Sequence, residues 1–107
     1  MKKSEKYTLN LKDEYNDVSF IEYALLSDKP LRCMYAICSC VINNFKTSRI
    51  VEILKKLKNS DLIEWNSCKI SNCALAALHL LNIEPYTGSD EQVEDLIDIF
   101  ANINHPK

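Results

Sequence analysis

A single glycine, Gly88, in a chain of 107 residues is the feature that most restricts what this sequence can fold into. Sandwiches, barrels and propellers reverse direction in tight turns, many of which require glycine. Loops that cradle phosphates with backbone amides also need several glycines. The sequence therefore predicts an all-α fold and excludes the common glycine-rich nucleotide-binding loops.

Length and composition indicate one compact domain. Hydrophobic residues make up 47% of the sequence. A chain of this size buries about two-thirds of its unfolded surface, which is enough for one hydrophobic core. Charged residues make up 26% and the formal net charge is −2, which excludes a disordered polyelectrolyte and gives no overall basic field for nucleic acid. We expect a helical domain that binds a partner rather than catalysing a reaction.

Apolar residues at helical spacing, together with helix-capping residues, predict five helices. The first begins near Asp17, and the others cover residues 30–44, 48–58, 69–82 and 90–103. Pro30 suits the first position of its helix, because the amide proton that it lacks would have no partner there. The helix over 30–44 is apolar nearly all round, so we expect it to be the most buried element.

The segments between and around the helices complete the predicted organisation. Residues 1–16 predict a flexible arm, or at most a short extended segment; residues 17–103 form the helical domain, and residues 104–107 a tail. The polar composition of residues 59–69 predicts a connection between helices, and this connection contains Trp65. Ser89 and Gln92 predict a capping box in which Gln92 reaches back to the cap. The result is a single-domain bundle of about five helices, arranged as HEAT-like helical hairpins or as a plain orthogonal bundle.

The cysteines indicate free thiols in a reducing setting. They are odd in number and lie at Cys33, Cys38, Cys40, Cys68 and Cys73. Residues 1–12 lack the apolar segment of a secretory signal, which favours a cytoplasmic protein. In apolar helices thiols act as small apolar side chains. Their spacing lacks the paired knuckle of a zinc site, so no metal and no other cofactor is expected.

The sequence contains no recognisable catalytic constellation. The metalloprotease helix motif, the nucleophile-elbow motif and the P-loop are all absent from it. His79 is predicted to be a half-exposed helix histidine, and His105 lies in the terminal tail. We therefore predict no catalytic residues and no enzyme activity.

Charge is segregated along the chain although the net charge is small. Residues 46–58 hold five cations and one glutamate, whereas residues 84–107 hold six carboxylates and one lysine. The basic segment has no interleaved aromatic residues and only one arginine. A solvated helix face therefore explains it better than nucleic-acid binding does.

The last predicted helix places four carboxylates on one face, opposite its apolar stripe. They belong to Glu91, Glu94, Asp95 and Asp98, with Tyr86 and Asp90 at the leading end. One interpretation is a solvated surface. The other is a binding surface for a basic partner, because complementary charge accelerates and selects association and aromatic residues are common at interfaces.

A family resemblance covers roughly residues 68–100. The chain resembles the second helix of a HEAT-like repeat over Ser71-Asn72-Cys73-Ala74-Leu75-Ala76-Ala77-Leu78-His79-Leu80-Leu81-Asn82-Ile83. The continuation through Tyr86, Gly88 and Asp90 into Leu96 and Ile97 is similar to small helical immunity proteins of bacterial toxin–immunity systems, including contact-dependent growth inhibition.

The resemblance implies a cytoplasmic inhibitor that binds one cognate toxin domain, commonly a nuclease, through an acidic surface. Its partner is then a basic protein, and neither nucleic acid nor a membrane is expected to bind. The alternative function is a HEAT-like regulatory adaptor or scaffold subunit, which is expected to bind through apolar grooves such as the region around Trp65.

Overall fold

The computed structural model describes residues 7–8, 12–60, 64–65 and 68–104, and in these ranges it contains five α-helices and two small sheets. The helices are α1 (Val18–Ala24), α2 (Pro30–Asn43), α3 (Ser48–Leu57), α4 (Ile70–Leu80) and α5 (Glu91–Ala101). The strands are β1 (Tyr7–Thr8), β2 (Glu64–Trp65), β3 (Cys68–Lys69) and β4 (Ile103–Asn104). The prediction of an all-α, single-domain bundle is confirmed.

Local sequence determines where the first three helices begin. The Asp17 carboxylate caps α1 and accepts a hydrogen bond from the Ser19 amide at 3.0 Å. The Thr47 hydroxyl caps α3 and accepts from the Ile50 amide at 3.1 Å. Pro30 is the first residue of α2, as predicted. Each start depends on residues a few positions apart, which is why the sequence predicts these boundaries closely.

Helix α4 lies at the centre of the bundle and packs against α2, α3 and α5. Its buried residues are Ile70, Asn72, Cys73, Ala74, Ala76, Ala77 and Leu78. The structure thus differs from the expectation that α2 is the most buried element, since Tyr35 and Val41 of α2 remain half-exposed. The alanines of α4 explain the difference, because small side chains let several neighbouring helices approach one helix closely.

The helical domain begins earlier than the predicted residue 17. Asp13–Asn16 form a 3₁₀ turn, and Tyr15 within this turn is only 6% exposed. The Ser39 hydroxyl of α2 donates a hydrogen bond to the Tyr15 carbonyl. The Tyr15 ring meets Phe20 edge-on, with ring centroids 5.1 Å apart. The predicted flexible arm is therefore wrong for this turn. The charged and polar residues around Tyr15 favour an exposed segment in the sequence, although Tyr15 itself is buried in the structure.

Two pairs of short strands lie beside the bundle. Strand β1 runs parallel to β4, with Tyr7 opposite Ile103. Strands β2 and β3 pair in antiparallel fashion within the predicted polar connection. The remainder of the predicted arm over 1–6 and 9–11 lies outside the described residues, as do residues 105–107 of the predicted tail and the side chain of Trp65.

Candidate functional site

The acidic row of α5 is the candidate site. It comprises the four exposed carboxylates of Glu91, Glu94, Asp95 and Asp98. On the opposite side of the same helix Val93, Leu96 and Phe100 are buried. The predicted placement of all four acids on one face, opposite the apolar stripe, is confirmed. Their role in binding a partner stays a prediction.

No cation neutralises the acidic row within the part of the chain whose side chains are described. The ion pairs in that part join Arg49 to Glu52, and Lys55 and Lys58 to Glu84. None of these pairs involves a residue of α5. Like charges at helical spacing repel by a few tenths of a kcal/mol per pair, roughly, so the row carries a small cost that a cationic partner would relieve.

The start of α5 is built differently from the predicted capping box. Asp90, rather than Ser89, is the cap residue, and its carboxylate accepts from the Gln92 amide at 2.8 Å. The Gln92 side chain reaches α4 instead, where its oxygen accepts from the Lys69 amide at 3.1 Å and from Asn72 Nδ2 at 2.9 Å. Lys69, the cap residue of α4, has no side-chain oxygen that could accept a hydrogen bond there. The Gln92 oxygen, from the neighbouring helix, serves as the acceptor and links α5 to α4.

Tyr86 positions the leading end of the acidic row. Its hydroxyl accepts a hydrogen bond from the Asp90 amide at 2.8 Å, and its own amide donates to His79 Nδ1 at 2.9 Å. A Cβ atom at Gly88 would lie 2.5 Å from the Tyr86 hydroxyl oxygen, so a larger residue at this position would displace the Tyr86 ring. Tyr86 is half-buried and closes the turn before α5. That it also anchors a partner stays a prediction.

The basic segment over 46–58 is partly committed to contacts within the chain. Lys58 Nζ lies 2.5 Å from Glu84 Oε1, and Lys55 Nζ lies 3.9 Å from Glu84 Oε2. The hydrogen bond from Lys58 lowers the pKa of Glu84. Lys46 Nζ donates to the Leu81 carbonyl at 2.8 Å, at a helix end where the backbone dipole favours a cation. These lysines hold the connection between α4 and α5 against the rest of the bundle.

All five cysteines are free thiols. Cys68 is half-buried and the other four are buried. The Sγ atoms of Cys68 and Cys73 are 3.6 Å apart, the separation of a thiol–thiol hydrogen bond. Among the described side chains, no three histidine, cysteine, aspartate or glutamate residues come together in a way that could hold a metal ion. Burial makes a thiol less reactive, so the four buried cysteines are poor nucleophiles.

One surface feature is absent from the sequence predictions. A cavity forms where Lys12, Lys29 and Arg32 converge beside Tyr15. Lys29 and Arg32 are three residues apart at the start of a helix, which is a visible local signal. Lys12 lies beside them only because the chain folds back on itself, so no local pattern in the sequence could have predicted the site.

Fold and surface together define a class: a small, single-domain helical bundle that presents, on one helix, a row of carboxylates without an ion pair among the described residues. No helix in the described ranges has the length and apolar character that crossing a membrane requires. No protein-family model, no curated protein and no solved structure matches the chain.

Proposed function

We propose that this chain is an immunity protein that binds a basic toxin domain of the nuclease class and covers its active site with the acidic row. The observation that carries the proposal is the row itself, whose four carboxylates are exposed and have no cationic partner among the described residues. A protein that acts on nucleic acid must present cations to hold phosphates. A row of carboxylates can bind those same cations in place of the phosphates.

The setting of α5 supports this function because it keeps the row rigid. Leu96 and Phe100 hold the helix against the core, and Gln92 fastens its first turn to α4. From Glu91 to Asp98 the row extends about 10 Å along the helix axis. A surface that is ordered before binding loses less conformational entropy in the complex, which favours tight association.

A second candidate function is favoured by a different surface. Tyr23 and Leu26, at the end of α1 and just beyond it, are 64% and 60% exposed. Large apolar side chains exposed in this way are common at interfaces between proteins. They favour a regulatory adaptor or scaffold subunit, which would bind through apolar contact and with weak dependence on salt.

The test uses two variants of equal charge as baits against an extract of the source cell. The first carries Glu94→Gln, Asp95→Asn and Asp98→Asn. The matched control carries Asp13→Asn, Asp28→Asn and Glu52→Gln, which removes three exposed carboxylates outside α5. We expect the wild type and the control to retain a basic protein that the first variant loses. Each buried charge pair that loses one partner costs about 2–5 kcal/mol, so the loss of affinity should span several orders of magnitude.

The retained protein is then purified and assayed for nuclease activity with and without this chain. Stoichiometric inhibition by the wild type and the control, but not by the first variant, is the expected result. Retention or inhibition that survives loss of the three α5 carboxylates would place the interface elsewhere. Salt-independent binding that is lost on Tyr23→Ser and Leu26→Ser would favour the adaptor.

A further inference from the structure

A cavity of about 470 Å³ opens between the 3₁₀ turn and the first half of α2. Its polar lining comes from Lys12, Glu14, Tyr15, Lys29, Arg32 and Tyr35. We propose that this cavity binds a small anion that carries a phosphate or carboxylate group on a flat apolar body. The proposal concerns segments other than the acidic row and is independent of the proposed function.

The charge of the cavity indicates an anionic ligand. Three cations, Lys12, Lys29 and Arg32, line it together with one carboxylate, that of Glu14. None of the three forms an ion pair within residues 12–60 and 68–103. Arginine binds phosphate and carboxylate through two parallel hydrogen bonds, and lysine adds a compact point charge. The cavity thus holds an excess of positive charge that the described side chains leave uncompensated.

The aromatic wall is formed before any ligand binds. The Tyr15 and Tyr35 rings meet edge-on, with centroids 6.0 Å apart, and the Tyr15 backbone is held by the Ser39 hydroxyl. Burial raises the pKa of Tyr15, while the charge of Arg32 opposes that effect. Arg32, Tyr15 and Tyr35 all line the cavity, so the cation and the aromatic wall face the same space.

The volume decides between a bare ion and a larger molecule. Sites for small molecules commonly enclose about 300–1,000 Å³, and this cavity falls within that range. A phosphate alone would leave much of the space beside the two tyrosines unfilled. A ring attached to the anionic group would fill it and bury apolar surface against those rings.

Calorimetric titration with four probes tests the proposal: phenyl phosphate, benzoate, inorganic phosphate and phenol. We expect at least one of the two ring-bearing anions to saturate the protein at one site, and the tighter of the two identifies the anionic group. Inorganic phosphate and phenol should each bind about tenfold more weakly or worse, because each lacks one half of the contacts. Failure of both ring-bearing anions to saturate at millimolar concentration would overturn the proposal.

Matched variants locate the binding. Arg32→Gln should weaken the best probe by about tenfold or more, since a hydrogen-bonded charge is lost. Arg49→Gln removes the same charge from the exposed face of α3, where Arg49 pairs with Glu52, and should leave the affinity unchanged. Equal weakening by both variants would show general charge attraction instead of a site. Lys29→Gln, at an exposed position, repeats the test if Arg32→Gln does not fold.

Discussion

The buried Ser39 hydroxyl joins the 3₁₀ turn to α2. It donates to the Tyr15 carbonyl and accepts from Asn43 Nδ2 at 3.1 Å. Ser39 itself is fully buried, so no water replaces it as a partner. A buried polar group that loses its partner costs more free energy than the bond contributes when it is made.

Replacing Ser39 by alanine should therefore destabilise the domain. We expect Ser39→Ala to lower the free energy of unfolding by about 1–3 kcal/mol, because the Tyr15 carbonyl stays buried without its donor. Urea denaturation followed by circular dichroism measures the change. Ser48→Ala, at an exposed position in α3, is the control and should stay within about 0.5 kcal/mol of the wild type. Similar losses in both variants would contradict this account of Ser39.

The thiols should differ sharply in reactivity. Burial raises the pKa of Cys33 to about 11 and the pKa values of Cys38 and Cys40 to about 12. Alkylation requires the thiolate, so iodoacetamide at neutral pH should modify the half-buried Cys68 first and the buried thiols only after unfolding. Peptide mapping by mass spectrometry identifies the modified residue. Cys68→Ser should abolish the fast reaction; fast modification of a second thiol in the native protein would be inconsistent with this order.

At the scale of the elements, the connection between α4 and α5 depends on Glu84. Its carboxylate binds Lys58 and lies near Lys55, both on the last turn of α3 or its cap. These pairs, with the link from Gln92 to α4, fix where α5 lies. The position of the acidic row thus depends on polar contacts between helices as well as on its apolar stripe.

The Lys58–Glu84 pair should make stability depend on pH in the acid range. The pKa of Glu84 is lowered in the folded protein, chiefly by the hydrogen bond from Lys58. As pH falls, the Glu84 carboxylate is therefore protonated in the unfolded chain before it is protonated in the folded protein. The stabilisation is present above the ordinary carboxyl pKa and is lost as pH falls through the lowered one. We expect Glu84→Gln to flatten the acid decline of the melting temperature.

Lys58→Gln should flatten that decline in the same way, because it removes the donor from the same pair. Effects of two residues in one contact are not additive, so the double variant should resemble either single variant. At neutral pH the changes should be small, since pairs near the surface contribute little. An acid decline in Glu84→Gln identical to that of the wild type would show that the pair contributes nothing in solution.

At the scale of the whole molecule, α4 determines whether the bundle forms. Ala77 has no exposed surface and lies on the helix that contacts three others. An unpaired charge at such a position cannot be hydrated without opening the core.

Ala77→Asp should therefore unfold the protein. A small domain is stable by only about 5–15 kcal/mol, and burying an uncompensated charge costs a large part of that. Ala36→Asp, at a fully buried position in α2, should act in the same way. Ala101→Asp, at an exposed position in α5, is the control and should keep its helical circular dichroism. A cooperative melt in Ala77→Asp near that of the wild type would contradict a core centred on α4.

The sequence alone determined the helices and the acidic row. Pro30, Asp17 and Thr47 place these helix starts through local geometry and contacts with residues a few positions away, which require no partner elsewhere in the chain. The spacing from Glu91 to Asp98 puts the carboxylates on one face because a helix repeats every 3.6 residues or so. These features are local, and local periodicity predicts them.

Only the tertiary structure decided what those helices contact. Tyr15 is buried, and its carbonyl accepts a hydrogen bond from Ser39, far along the chain. The Gln92 side chain accepts a hydrogen bond from Asn72 of α4 instead of capping its own helix. Lys12 lies beside Arg32 in the cavity only because the 3₁₀ turn packs on α2. Each outcome depends on which distant segment offers the better partner for a buried or charged group. Contacts across the whole bundle compete to satisfy these groups, and a short stretch of sequence does not contain the distant residues that take part.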